Sequence, residues 1–77
     1  MTIKARLILL RENLAQKTDA YLKAEQKLFE EENGFNNPKL LSDLSEAKTA
    51  WQQAGNAYNT FLSHIVNNRL NIDAEMG

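Results

Sequence analysis

The sequence predicts an all-α protein, an antiparallel two-helix hairpin completed as a four-helix bundle by dimerisation or by a protein partner. Two long stretches carry apolar residues that step by four and three, and a single interruption rich in Asn, Gly and Pro separates them. The helices also carry more large apolar side chains than one helix pair can cover. All 77 residues form one domain on this reading. A first helix spans about 3–32, a turn 33–37 and a second helix about 38–70, and the tail at 71–77 frays where the apolar pattern stops.

The first helix follows from Ile3, Leu7, Leu10, Leu14, Tyr21, Ala24 and Leu28, a spacing that lays one stripe along a helix. Lys17 is the one break in that seam, and no Gly or Pro occurs before Gly34 to end the helix sooner.

The turn is written in "ENGFNNP". Gly34 is the residue expected to take the left-handed conformation that closes a helix, with Phe35 folding back on Phe29. Asn37 is placed to cap the next helix, and Pro38 suits its first position. So short a connection makes the two helices antiparallel, each roughly 45 to 50 Å long at ~1.5 Å per residue.

The second helix follows from Leu40, Leu44, Ala47, Trp51, Ala54, Tyr58, Phe61 and Ile65. With the turn as a mirror, Leu28 faces Leu44, Leu14 faces Tyr58, Leu10 faces Phe61 and Leu7 faces Ile65. Lys17 falls opposite Ala54 and Gly55, where its stem finds room and its ammonium reaches water. Gly55 inside this helix costs up to ~1 kcal/mol relative to alanine, which suggests close approach of another backbone. Trp51, Tyr58 and Tyr21 form an aromatic ladder that core packing explains.

The surplus apolar residues supply the candidate partner-binding site. Ile8, Ala15, Leu22 and Phe29 recur every seven residues, about 100° around from the main stripe. On the second helix Leu41, Leu62 and Val66 lie beside the seam. Covering a large aliphatic side chain is worth roughly 1.5 to 3 kcal/mol, so Ile8, Leu22, Phe29, Leu41, Leu62 and Val66 drive association. From Thr49 to Asn68 there is no Asp, Glu, Lys or Arg. A neutral polar surface suits contact with protein, because an unpaired charge is costly to desolvate.

Charge is sorted along the rod. Lys4, Arg6 and Arg11 lie near the open end with Arg69 across from them, while Glu30, Glu31 and Glu32 sit with Glu25 toward the tip. Glutamates in the last turn of a helix oppose its dipole at ~0.3 to 1 kcal/mol each. An acidic tip and a basic base favour an antiparallel dimer or head-to-tail stacking.

The rest of the sequence excludes more than it proposes. A net charge of −1 argues against a nucleic-acid surface. With no cysteine and one histidine, no disulfide, thiolate site or self-sufficient zinc site is available, and no cofactor is implied. Ser63 and His64 are adjacent and so point about 100° apart on a helix, which disfavours a nucleophile–base pair, and no catalytic residue is assigned. Asp43 and Glu46 lack the matching helix of a di-iron bundle. "GNAYN" makes no phosphate-binding nest. Leu7 to Leu10 is the longest apolar run near the N-terminus, too short for a membrane span or a signal-peptide core. A cytoplasmic location is expected, with export by a signal-peptide-independent route left open.

The segment "NNPKLLSDLSEAKTAWQQAGNAYN" resembles the turn and second helix of type III secretion needle subunits, through Asn37, Pro38, Leu40, Leu41, Leu44 and Trp51. The small helical-hairpin chaperones of those systems are as similar. The first helix is more charged than in a needle subunit, and "NIDAEMG" stands where the needle family has an apolar end. The expected function is a non-enzymatic interaction or assembly module that self-associates, as a homodimer, or docks on a larger protein. The resemblance implies a filament or secretion-apparatus subunit or its chaperone as an alternative. A regulator binding nucleic acid through Lys4, Arg6, Arg11 and Arg69 is the other.

Overall fold

The computed structural model describes residues 1–76. Helix α1 spans Ile3–Glu30 and helix α2 spans Pro38–Asn67, joined by a 3-10 turn at Gly34–Asn36. The helices pack antiparallel into a rod of 52 × 17 × 16 Å. Both stop slightly earlier than expected, α1 at Glu30 and α2 at Asn67. Among the described residues no helix is long and apolar enough to cross a membrane.

Every residue of the two predicted stripes is buried or half-buried, and Lys17 is exposed. Among the described residues Leu28, Ala54 and Ile65 are the buried apolar side chains. Tyr21 of α1 stacks on Trp51 of α2 with ring centroids 4.9 Å apart and planes 12° from parallel. The gap at Gly55 is used by Leu14 rather than by Lys17. A Cβ built on Gly55 would meet the Leu14 Cδ1 at 3.7 Å.

The tip is built as expected in outline and differs in one detail. Asn37 Oδ1 accepts from the backbone N–H groups of Lys39 and Leu40, at 3.0 and 3.4 Å, and Pro38 opens α2. Phe35 meets Phe29 edge-on, with centroids 5.3 Å apart. The left-handed residue is Asn33 (φ 61°, ψ 26°), not Gly34. Asn tolerates that region. Gly34 is needed instead for close approach, because a Cβ there would come within 2.9 Å of the Leu28 Cα and closer still to its carbonyl oxygen.

The tail expected to fray returns to the start of α1. Ile3 N–H donates to the Ala74 carbonyl at 3.0 Å, Lys4 N–H to the Ile72 carbonyl at 2.7 Å, and Met76 N–H to the Met1 carbonyl at 2.9 Å. Thr2 Oγ1 accepts from Ala5 N–H. The first N–H groups of a helix lack intrahelical acceptors, and here the tail supplies two of the missing ones. Asn71 shapes it, its Oδ1 accepting from Asp73 N–H at 3.0 Å. Gly77 lies outside the described residues. Helix α2 closes on Arg69, left-handed at φ 51°, with Arg69 N–H on Val66 O and Leu70 N–H on Ile65 O. That bond pattern is a Schellman closure with an arginine where glycine is usual.

Candidate interaction face

The orientation of the apolar flanks follows from helix geometry. One step past the seam of α1 turns about 100° in a fixed sense, and on an antiparallel neighbour the same step turns toward the same side of the pair. Ile8, Leu22 and Phe29 of α1 therefore share one face with Leu41, Leu62 and Val66 of α2; we term it the front face. Phe29 is 70% exposed, Val66 64%, Leu22 54%, Ile8 43% and Leu41 41%. Leu62 is half-buried, leaning into the seam.

Each face carries an open groove between the helices. The front groove, about 420 Å³, is floored by Leu14, Trp51 and Gly55 and rimmed by Gln52, Asn56 and Asn59. The other, about 560 Å³, lies on the back face near the open end, with Leu10, Ala57 and Phe61 below Arg6, Thr60 and His64. His64 Nδ1 lies 3.1 Å from Asn68 Nδ2. The adjacent Ser63 does not line that groove, and no arrangement of nucleophile, base and donor converges there.

The charged ends divide between these faces. Lys4, Arg11 and Glu25 fall at heptad positions along the front edge of α1, Glu32 follows in the turn beyond its end, and Arg6 lines the back groove. Arg6 thus lies on the other side of α1 from Lys4 and Arg11. The ion pairs among the described residues are Lys23 with Asp19 and the Met1 amine with Glu75, both at 2.9 Å. Lys4, Arg11, Arg69 and Glu30, Glu31 and Glu32 have no intramolecular ion partner there; Glu30 accepts from Gln26 Nε2 at 2.7 Å. Glu25 is half-buried, and hydrogen bonding to it raises the Tyr21 hydroxyl above its ordinary pKa near 10, with desolvation and the carboxylate charge acting in the same direction. Among the described residues no three His, Cys, Asp or Glu side chains gather as a metal site.

The sequence does not single out Leu9, 45% exposed on the back of α1, and it offers Phe35 only as the partner of Phe29, although Phe35 is 56% exposed at the tip. Leu9 belongs to neither heptad stripe, so periodicity gives no signal for it.

The chain matches no protein-family model, and no curated protein or solved structure is significantly similar to it.

Proposed function

We propose that this chain is a non-enzymatic assembly module whose front face binds protein, with a second copy of itself as the first partner. One observation carries the reading: large apolar side chains of the front face stay exposed while the buried core is only Leu28, Ala54 and Ile65. The chain exposes 5795 Å² at a mass of 8.8 kDa. A compact monomer of that mass exposes about 4,800 Å². The excess, about 1,000 Å², is close to the ~800 Å² per partner of a standard protein interface. Ile8, Leu22, Phe29, Leu41 and Val66 are among the large apolar side chains that this surface exposes.

Sedimentation equilibrium tests the reading, with a mass of two chains expected. Leu22→Glu should weaken the assembly at least a hundredfold while leaving the circular dichroism of the hairpin unchanged, because it places a charge in the interface. Leu14→Glu, against Gly55 in the seam, should unfold the hairpin itself at about 3 kcal/mol. Equal effects of the two changes, or a monomer at high concentration, would overturn self-association. Long polymers in electron micrographs would point instead to the filament subunit suggested by the turn sequence.

A further inference from the structure

The front edge of α1 is self-complementary when reversed. Its apolar positions are Ile8, Ala15, Leu22 and Phe29, and its charged positions are Lys4 and Arg11 toward the open end and Glu25 toward the tip, with Glu32 in the turn just past the helix end. Run against a reversed copy of itself, this edge brings Ile8 to Phe29, Ala15 to Leu22 and Arg11 to Glu25, and carries Lys4 to the acidic turn that holds Glu32. The midpoint of that alignment falls beside Thr18 on α1. Across the hairpin the Tyr21–Trp51 stack and the Leu14–Gly55 contact fix the same height on α2 near Gln52. Reversing α2 about Gln52 brings Leu41 to Leu62 of the other copy, so both helices select nearly the same centre.

We propose that the second copy seats front face to front face with its rod reversed, about a two-fold axis crossing the hairpin beside Thr18 and Gln52. The proposal rests on the self-association inferred above and fixes its geometry. A front-face dimer can form about either of two perpendicular axes. An axis along the rod puts both acidic tips at one end and both sets of Lys4 and Arg11 at the other, so neither finds an opposite charge across the contact. The crossing axis pairs each basic end with an acidic tip, and among the described residues the charges it pairs have no ion partner within the hairpin.

Gly55 gives a second, independent mark of the same contact. An added Cβ there meets the Leu14 Cδ1 at an ordinary 3.7 Å, so the hairpin itself does not require glycine at this position. In the reversed dimer, Lys48 of the second copy comes over Gly55. The front groove then receives the aliphatic stem of that lysine between Gln52 and Asn59, whose amides are neutral partners for its ammonium.

The chain contains no cysteine, so single introduced cysteines report the geometry directly. Gln52→Cys should link to itself with a short bis-maleimide, and Asn33→Cys, at the tip, should not. Arg11→Glu and Glu25→Arg, each alone, should weaken the dimer roughly tenfold or more at low ionic strength. An equimolar mixture should recover wild-type affinity to within a few-fold, because both cross-copy contacts again join opposite charges. A two-chain mass with Asn33→Cys linking in place of Gln52→Cys, or with no recovery in the mixture, would overturn the reversed seating and leave self-association standing. A one-chain mass for the wild type would overturn both.

Discussion

The two ends of this rod are closed by different means. At the tip everything needed lies within a few residues: Asn33 turns left-handed, Gly34 lets the chain press on Leu28, and Asn37 caps α2. At the open end the closure is long-range, with Ile72 and Ala74 accepting from the first N–H groups of α1 across nearly the whole length of the chain. A local closure forms with little loop entropy to overcome, whereas the open end closes only after both helices have docked. The tip should therefore be the stable anchor of the hairpin and the open end its first point of opening.

The strongest way to break this contrast is at Gly34. Its φ is not in the left-handed region, so alanine there is opposed by sterics alone. The added Cβ runs into the backbone of Leu28, which is 2% exposed and cannot yield without moving the core. Gly34→Ala should destabilise the hairpin by about 3 kcal/mol in urea unfolding, at the upper end for overpacking. A loss below about 1 kcal/mol would mean that the turn relaxes freely and does not anchor the fold.

The same contrast marks what the sequence could specify. Both stripes, the reversal, the Asn37–Pro38 start and the Phe29–Phe35 contact are local patterns, and each was legible. The choice of Asn33 over Gly34 for the left-handed site was not, because both residues tolerate it and the close approach to Leu28 decides between them. The tail carries no periodicity at all. Its partners are backbone groups of α1, which no side-chain pattern announces, and only the Asx turn at Asn71 hints at order. Of the candidate face, the individual apolar residues could be picked out by heptad spacing. That they share one side with the charged edge of α1 emerged from the antiparallel packing.

Removing the chain from Asn71 onward should have an intermediate effect. It deprives Ile3 and Lys4 N–H of their acceptors, and water replaces those bonds at an exposed end, so the expected loss is about 1 to 2 kcal/mol. Hydrogen exchange localises it: amides in the first turn of α1 should lose protection while those around Leu28 keep theirs. Uniform loss along α1 would mean that the two ends open together and that the tip is not a separate anchor.

The smallest expected effects come from the two non-glycine residues held left-handed, one at each end. Asn33 at φ 61° is a residue that tolerates the region, so Asn33→Gly should change stability by only a few tenths of a kcal/mol. Arg69 at φ 51° has a Cβ and no short polar group to offset the crowding with the following carbonyl. Its closing bonds, Arg69 N–H to Val66 and Leu70 N–H to Ile65, come from the backbone and survive substitution. Arg69→Gly should therefore raise stability by about 1 kcal/mol, a shift of roughly 4 to 8 °C in Tm for a domain of this size. The gain should shrink once the tail is removed, because the strained residue connects α2 to that tail and a frayed end no longer holds it in place. An Arg69→Gly gain that is unchanged without the tail would locate the strain in α2 alone and uncouple the open end from its long-range closure.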